Sequence, residues 1–429
     1  MDSTLVTTKP LAKEKTEMLD IRTNRRDFIR VGGLGLGYLS LSDAISAEDM
    51  MSSNDKSVVW VWLGGGPTQF ETFHAPTGSV PDTHSSVSDV VTHSNGLAFG
   101  GLFENLIQRG DNLTAVNSFS HGDSSHRQAT HWMMTGHRNP KRETTADSEF
   151  PGHGAIVSSV FGPNHPTNGM PAYVKQGKIE GEQPAFLGGA NKPFDPSNKE
   201  NLIPKVAIDR LKDRKQLLSL FDSKRKFFSN QANSFEKIGD QAYNVVLGNA
   251  KDAFDLEKED QKARERYGKG GIGDQMLLAR RLTQFGSKFV TVHYGGWDMH
   301  SNVKKALEGK VPPLDKALSA FVDDIYDMGI SKNVLLVVTG EFGRTRLNAN
   351  SGRDHWPSIT PMLLSGGDYE HGRVIGKADK GYYPTDQKIG PIDLAATLFD
   401  HFEIDDKIQR MDQSGRPRYL LDGEGKVIL

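Results

Sequence analysis

The sequence predicts an α/β fold with a mostly parallel central sheet and helices on both faces. Residues 58–63 (VVWVWL) and 334–338 (VLLVV) are unbroken apolar runs of the kind that form strands buried on both faces. Shorter apolar runs at 113–119 and 289–294 repeat the pattern. A segment with helical spacing, 314–328, lies between the last two strands, and the order strand–helix–strand is typical of a parallel sheet.

Polar residues collect after the ends of these predicted strands. A glycine-rich turn, residues 64–68 (GGGPT), follows the first strand and could cradle an anion. In open α/β sheets, ligands bind at the carboxyl ends of the strands, so we expect the polar residues after the four strands to form one site. The candidate site residues are Ser125, His126, Asp298, His300, Glu341, Arg344, Asp354 and His355.

Composition excludes several classes of function. The net charge of −2 does not indicate the basic surface that nucleic-acid binding needs. No apolar run approaches the ~20 residues that a membrane span requires. The chain has no cysteine, which excludes disulfides, thiolate zinc sites and a cysteine nucleophile. Any metal must therefore be bound by histidine, aspartate, glutamate or water.

Residues 1–47 are predicted to be a signal peptide for the twin-arginine route. Arg25 and Arg26 stand in the sequence TNRRDFI, and the short glycine-rich apolar run 31–41 and several small residues follow. A basic amphipathic helix start is the alternative interpretation of the same residues. We expect export of the folded protein, a periplasmic or secreted location, and one domain over residues 48–429 without a membrane span.

The first half of that domain is interpreted from turn residues and helical spacing. Residues 75–100 are rich in serine, threonine, proline and glycine and favour a surface loop, and 101–109 favours a short amphipathic helix. Ser124 or Ser125 can cap a helix that ends at Gly136. Residues in the first turn of this helix would face an anion with the positive end of the helix dipole.

The second half of the domain contains two segments that differ in composition. Residues 150–204 are rich in proline and glycine and predict an irregular loop that covers the site. The charged segment at about 205–268 carries apolar residues at helical spacing and predicts a helical insertion. The remaining predicted elements are a helix at 276–285, a strand at 361–364 and a closing helix at 391–402.

Histidines and acidic residues in these positions suit divalent-metal chemistry. Asp298 and His300 stand two residues apart in a predicted loop and can bind one divalent ion. A capping aspartate beside a surface histidine is the alternative. Each histidine in the dense region 121–137 is, taken singly, more often structural than catalytic. Because His126 lies in the first turn of the predicted helix, it is our candidate for a functional residue in that region.

Six stretches of the sequence together resemble a known family. They are RRDFI, VWLGGGPTQFETF, TGH, ARRLTQFGSKFVTVHYGGWDMH, TGEFGR and GRDHWP. These stretches resemble secreted proteins of the domain of unknown function 1501 family, which belongs with the sulfatase-like proteins of the alkaline phosphatase superfamily. The resemblance covers nearly the whole chain and implies a sulfatase-like α/β domain.

The resemblance implies one metal position. Asp298 and His300 match the Asp and His of that position, and His355 matches the later histidine that completes it. Glu341 sits where an Asp-His pair follows the central strand in the superfamily, and Asp354 directly precedes the matching histidine. We therefore expect these five residues to be metal ligands, with Zn²⁺, Ca²⁺ or Mg²⁺ as the divalent ion.

The resemblance also implies a departure at the first strand. Gly64 and Gly65 stand where these enzymes usually place a metal-binding aspartate, which favours a mononuclear site or a weakly held Ca²⁺ or Mg²⁺. His126 lies near the place of the modified nucleophile of sulfatases, with Ser125 beside it. Either residue could attack the substrate, or His126 could take a proton from Ser125.

Two functions from different classes remain open at this point. The first is an exported, metal-assisted hydrolase of sulfate or phosphate esters, in which Arg344 binds the anion and the metal stabilises developing charge. The second is a non-catalytic binding or scaffold protein that keeps the fold and holds an anionic glycan or a partner. The expected ligand in the first case is a small anionic ester or a sulfated or phosphorylated glycan.

Overall fold

The computed structural model of the protein describes residues 56–77, 89–139, 149–197, 249–412, 414–421 and 423–429. The predicted signal peptide lies outside these residues, as does most of the predicted helical insertion, so both stay predictions. The described residues form a mixed α/β architecture around one mostly parallel sheet, which confirms the predicted fold class. None of the described helices combines the length and the apolar character that crossing a bilayer requires.

The elements follow the predicted alternation of strands and helices. The α-helices of the described residues are α1 (His126–Thr135), α2 (His153–Phe161), α3 (Gln261–Tyr267), α4 (Gly271–Gln284), α5 (Val303–Asp327) and α6 (Pro391–His401). The strands are β1 (Ser57–Trp62), β2 (Val90–Thr92), β3 (Ala98–Gly100), β4 (Thr114–Val116), β5 (Tyr173–Gln176), β6 (Phe289–His293), β7 (Val334–Thr339), β8 (Gly343–Leu347), β9 (Arg353–Trp356), β10 (Met362–Gly366), β11 (Arg373–Ile375), β12 (Gln409–Met411) and β13 (Pro417–Tyr419).

The main sheet has seven strands in the order β11-β4-β10-β7-β1-β6-β5. Strand β10 is antiparallel to β7 and β4, and all other neighbours are parallel. Strand β1 lies between β6 and β7, with Trp62 opposite His293 on one side and Thr339 on the other. The loops after β6 and β7 were expected to leave neighbouring strands; they are instead separated by β1, and all three strands end at the same edge.

Strand β1 has no polar face, because it is buried in the core on both sides. Val58, Trp60 and Trp62 join a buried cluster with side chains of α1, α2 and α6, which places these three helices on one face of the sheet. Helices α4 and α5 pack against each other, and α4 packs against β6, without contributing to that cluster. Every residue of β1 is buried, as expected for a strand covered by helices on both faces.

A hairpin of β8 and β9 projects beyond the carboxyl end of β7 and pairs Arg344 with His355. A single 3₁₀ turn after β1 clamps this hairpin. The side chain of Gln69 accepts a hydrogen bond from the backbone N–H of Arg344 (2.7 Å) and donates one to its carbonyl (2.8 Å). Glu71 pairs with the fully buried Arg353 at 2.5 Å. The hairpin is thereby fixed against the first strand.

Three local predictions were wrong. The stretch 150–204, expected to be irregular, contains α2 and β5, because Gly154 allows α2 to approach β5 so closely that a Cβ there would lie 2.6 Å from the Tyr173 ring. Helix α5 starts eleven residues before the predicted 314 and runs through Pro312 and Pro313. The predicted helix at 101–109 is a 3₁₀ segment, Leu106–Asn112.

Candidate metal centre

Three segments far apart in the sequence bring their side chains together at the carboxyl edge of the sheet. The loop after β6 carries Asp298 and His300, strand β9 carries His355, and helix α1 begins at His126. One ligand atom from each of His126, Asp298 and His355 lies within 4.8 Å of the other two. The sequence predicted that these loops share an edge, and the helix start joins them there.

The distances within the cluster match those expected around one small cation. Asp298 Oδ2 lies 3.3 Å from His126 Nε2, and Asp298 Oδ1 lies 3.2 Å from His355 Nε2. His300 Nε2 lies 2.9 Å from Asp298 Oδ1 and 3.2 Å from His355 Nε2. Ligand atoms about 2.0–2.1 Å from a tetrahedral zinc ion would lie about 3.3 Å apart, so the spacing suits such an ion.

The outward-facing nitrogens of two rings determine their tautomers. His355 Nδ1 lies 2.8 Å from the carbonyl oxygen of Ser124, which can only accept, so this nitrogen carries the proton. His126 Nδ1 lies 2.6 Å from Glu341 Oε1 and is a donor for the same reason. In their neutral forms both rings therefore present the lone pair of Nε2 to the centre of the cluster.

His300 follows the same pattern. Its Nδ1 lies 2.9 Å from Asp354 Oδ1 and its Nε2 lies 2.9 Å from Asp298 Oδ1, so a carboxylate oxygen faces each nitrogen. Three imidazoles, each with an oxygen acceptor beside Nδ1, therefore direct Nε2 toward one carboxylate. Oxygen acceptors behind metal-binding histidines are the usual means of fixing the ring and raising its basicity.

His126 Nε2 gives an independent test of the fit. The atom is buried and has no hydrogen-bond partner, although Asp298 is close to it. A buried nitrogen lone pair without a donor is costly, and a cation would satisfy it. The donor set of histidine nitrogens and one carboxylate therefore fits a divalent metal ion.

The electrostatic surroundings prepare two of the groups to bind a cation. Partial burial opposes ionisation of Asp298, but the hydrogen bond and charge of Arg344 outweigh it and lower the pKa of the carboxyl to about 2. Burial lowers the pKa of His355. At neutral pH the carboxylate is therefore charged and the His355 ring is neutral, the states that a metal requires. The hydrogen bond to Glu341 raises the pKa of His126.

Arg344 was predicted to bind a substrate anion, and its surroundings differ from that expectation. Its side chain is 1% exposed. Its guanidinium donates to Asp298 at 2.6 Å and to the carbonyls of Gly65, Gly66 and Arg353. These bonds occupy the donors within the protein, so the residue orients Asp298 and does not present a free cation to solvent.

Glu341 and Asp354, both predicted as metal ligands, lie behind the rings of His126 and His300. The Glu341 carboxylate accepts from the ring of His126 and from the backbone N–H of Gly65 at 2.9 and 3.1 Å, and its side chain is 3% exposed. Asp354 accepts from His300, and its side chain is 59% exposed. The two carboxylates thus hold rings in place, one within the protein and one at its surface.

The glycine turn after β1 is crowded. A Cβ on Gly64 would lie 2.6 Å from His293 Nε2, and a Cβ on Gly65 would lie 2.5 Å from the backbone nitrogen of Asp298. Gly65 also has a φ of +113°, which side chains disfavour. A side chain, and hence a carboxylate, does not fit at Gly65, and one at Gly64 would require the His293 ring to move. The expected cradle for an anion is also altered, because the Gly65 N–H is bound to Glu341.

Ser125 is the residue before helix α1 and is exposed, without a side-chain capping bond. Its backbone N–H donates to Asp123 at 3.0 Å. The hydroxyl is therefore free to face solvent beside the first turn, where His126 joins the cluster.

Sequence reasoning missed the residues that support the cluster. The carbonyl of Ser124 leaves no trace in residue type, and the pairing of Gln69 with the backbone of Arg344 joins positions 275 apart. Arg353 stands directly before Asp354 in the sequence, but nothing there indicates its partner Glu71.

Comparisons with known proteins bear on the family and on the fold. The profile of the family described as "Protein of unknown function (DUF1501)" matches residues 55–429. No curated protein matches the chain.

The solved structures that are similar to this chain share few identical residues with it. The PsFucS1 sulfatase from Pseudoalteromonas sp. is 11% identical, with 94% of this chain and 77% of that chain covered and a TM-score of 0.39. The lipoteichoic acid synthase LtaP from Listeria monocytogenes is 11% identical, with 88% and 78% covered and a TM-score of 0.39. A protein in the alkaline phosphatase superfamily from Vibrio parahaemolyticus is 12% identical, with 89% and 76% covered and a TM-score of 0.39. At these values the similarity carries no argument about the site.

Proposed function

We propose that this chain, which belongs to the DUF1501 family, is a metal-dependent hydrolase of sulfate or phosphate esters with one divalent cation at the sheet edge. His126, Asp298 and His355 would hold the cation, with His300 beside them. The observation that carries the proposal is the convergence of three Nε2 atoms on one carboxylate, with an oxygen beside every Nδ1.

The donor set favours zinc among the three ions considered. Zn²⁺ accepts histidine nitrogen and carboxylate oxygen, whereas Ca²⁺ and Mg²⁺ prefer ligand sets made of oxygen. Nitrogen supplies most of the donors here. When bound, such an ion lowers the pKa of a water molecule and polarises an ester oxygen.

The chain's own residues would keep this site in one geometry. Arg344 holds Asp298 through a 2.6 Å hydrogen bond, and Glu341 holds the ring of His126. Because both supporting side chains are almost fully buried, they exclude water from the rear of the cluster. In this proposal His126 is a ligand, and Ser125 is the candidate nucleophile beside it.

A second candidate function is a binding or scaffold protein that uses the same cation to hold an anionic glycan or partner. Two observations favour it. The backbone around Gly65 leaves no room for the carboxylate of a second metal position, and two ions about 3.5–4 Å apart are the usual clamp for in-line displacement at phosphorus. In addition, Arg344 is engaged within the protein and does not offer its charge to an anion.

Activity assays separate the two candidates. Protein stripped with a chelator and reloaded with Zn²⁺, Ca²⁺ or Mg²⁺ is offered a panel of aryl sulfates and aryl phosphates. We expect one equivalent of zinc to bind and to restore turnover, and Ser125→Ala to lower kcat by at least about 100-fold. Ser124→Ala is the matched control, since its exposed hydroxyl is adjacent and only its carbonyl contacts the cluster.

Zinc binding without turnover of any ester would favour the scaffold function. An active Ser125→Ala variant would leave hydrolysis standing and remove Ser125 as the nucleophile. We further propose export by the twin-arginine route, and replacement of both Arg25 and Arg26 by lysine should leave the precursor in the cytoplasm. Normal export of that variant would contradict the proposed route.

A further inference from the structure

A second concave site lies on the other side of the β8–β9 hairpin. Successive residues of a strand point to opposite sides, so His355 faces the metal cluster and Trp356 faces away from it. On that side is a cleft of about 310 Å³. We call it the aromatic cleft, and the lining residues that concern its ligand are Phe70, Arg346, Trp356, Tyr382 and Tyr383.

The aromatic rings of the cleft are held in fixed positions. Trp356 and Tyr383 meet edge to face, with ring centroids 5.1 Å apart and planes at 71°. Phe70 and Tyr382 pack 4.6 Å apart beneath them. The Trp356 Nε1–H donates to the carbonyl of Tyr382 at 3.2 Å, so the indole cannot rotate freely. Tyr383 is 49% exposed, so its ring is accessible at the mouth of the cleft.

The turn that carries the two tyrosines is also fixed. The Asp379 carboxylate accepts hydrogen bonds from the backbone N–H groups of Gly381 (2.8 Å) and Tyr383 (3.0 Å). Tyr382 has a φ of +58°, a conformation that a bulky side chain adopts at an energetic cost. The strained backbone of Tyr382 thus accompanies the placement of Tyr383 at the mouth of the cleft.

The rim of the cleft is cationic. Arg346 is exposed and donates to the carbonyl of Lys380 at 3.3 Å. Among the residues that the structure describes, no carboxylate forms an ion pair with Arg346. The one acidic side chain of the nearby turn, Asp379, uses a carboxylate oxygen to bind the turn itself. Arg346 is therefore available to an anionic group on a ligand.

We infer that the aromatic cleft binds a saccharide unit that carries an anionic substituent. The face of a pyranose ring is lined with C–H bonds and packs on aromatic rings, whereas its hydroxyl groups need polar partners at the rim. Trp356 and Tyr383 supply the first, and Arg346 supplies a charged partner for the substituent. A proline-rich peptide also packs on aromatic rings, but it needs a long groove and no cation.

This inference does not depend on the proposed hydrolysis, because Trp356 and His355 point to opposite sides of one strand. Arg344 is the residue that borders both the cleft and the cluster. The binding should therefore persist in protein stripped of metal. A polymeric saccharide could occupy the cleft with one unit while another reaches the sheet edge, which would make the cleft an anchor for a long substrate.

Titration calorimetry on the full chain tests the inference. The probes are a sulfated galactan hexasaccharide, its chemically desulfated form, inorganic sulfate and a proline-rich decapeptide. We expect saturable binding of the sulfated hexasaccharide, at least about tenfold weaker binding of the desulfated form, and no saturation by inorganic sulfate or the peptide. Addition of a chelator should leave these affinities unchanged.

Variants identify the residues that bind. Tyr383→Ala should weaken binding of both hexasaccharides by at least about tenfold, and Arg346→Ala should remove the preference for the sulfated form. Tyr419→Ala is the matched control, since Tyr419 is also an exposed tyrosine (50%) but lies on β13, away from the cleft. Trp356→Phe keeps an aromatic ring at this half-buried position. It therefore tests the role of Trp356 without the loss of packing that could unfold the protein.

Four results would overturn the inference. They are the absence of binding by either hexasaccharide, tighter binding of the peptide than of both saccharides, wild-type affinity in Tyr383→Ala, and equal weakening by Tyr419→Ala. Loss of binding after chelation would assign the saccharide to the metal cluster and remove it from the cleft.

Discussion

The histidines at the carboxyl edge of the sheet differ from those packed beneath it. His153 is 1% exposed, stacks on Trp60 with centroids 5.8 Å apart, and lies with Nε2 3.1 Å from the carbonyl of Met133. His401 is equally buried, and its Nε2 lies 2.9 Å from the carbonyl of Ser57. Each of these rings stands alone and donates from Nε2 to one carbonyl. Packing and a single hydrogen bond explain its presence.

The edge histidines have the opposite arrangement. In His126, His300 and His355 the outward nitrogen is Nδ1, and the Nε2 atoms turn toward one another and toward Asp298. Packing alone does not favour three nitrogen lone pairs around one carboxylate. The Nδ1 atoms of His153 and His401 are also buried without a hydrogen-bond partner, so one free nitrogen does not distinguish the two groups. What distinguishes the edge histidines is that three ring nitrogens meet at one carboxylate.

The largest expected effect is on metal affinity. His355→Ala removes one converging lone pair and should weaken zinc binding by more than about 100-fold, since even the loss of an outer partner of a ligand costs 10–100-fold. Competition with a chromophoric chelator measures the dissociation constant. His153→Gln is the control: it should lower the stability of the fold while changing zinc affinity by less than about threefold. Equal zinc affinity in His355→Ala and wild type would contradict the proposed difference between the edge histidines and the buried ones.

The second effect is on acid stability and concerns the buried rings. Burial lowers the pKa of His153 and of His401 to about 4, below the ordinary histidine value of 6.5. A lowered pKa means that the folded state holds these rings neutral. Their contribution is therefore complete above pH ~6.5 and is lost as the pH falls from there toward about 4. The difference for each ring corresponds to about 3 kcal/mol of unfolding free energy.

Urea unfolding of chelator-treated protein at several pH values between 7.5 and 4.5 measures this loss. The His401→Gln variant should show a shallower fall in unfolding free energy than wild type across that interval, because one of the two rings no longer titrates. The same pH dependence in both proteins would show that the buried rings are not responsible. Removing the metal first separates this effect from acid release of zinc by the edge histidines.

The smallest effect distinguishes the two supporting carboxylates. Glu341→Gln should weaken zinc binding toward the upper part of the 10–100-fold range, because the amide must place an N–H₂ group against either the Gly65 N–H or the His126 ring. Asp354→Asn should cost about tenfold or less, since water can replace the exposed carboxylate. The same chelator competition applies. A larger loss in Asp354→Asn would show that the exposed side of the cluster governs affinity.

Much of the fold could be predicted from local patterns. The apolar runs that became β1, β4, β6 and β7 were recognisable because strands buried on both faces need uninterrupted apolar residues. Helix α1 was recognisable because Ser125 precedes it and Gly136 ends it in the left-handed conformation. Strand β5 and helix α2 were not, because proline and glycine surround them and long-range packing overrides that local signal.

The candidate site divides in the same way. Residue type and spacing identified Asp298 and His300 as candidate metal ligands, because no cysteine competes for that role, and the family resemblance added His355. Residue type did not separate ligands from the groups behind them. Glu341 was expected to be a ligand and His126 a base, yet the ring of His126 lies between Glu341 and the cluster.

The sequence by itself determined the class of fold, the edge where polar side chains collect and the absence of thiolate ligands. The tertiary structure decided which nitrogen of each ring faces Asp298, that Arg344 holds Asp298, and that Gly65 has no room for a carboxylate. The physical reason is the sequence distance over which each feature is determined. Strand and helix patterns arise from neighbours within a few residues, whereas a proton on Nδ1 depends on an oxygen that the chain brings from more than 200 positions away.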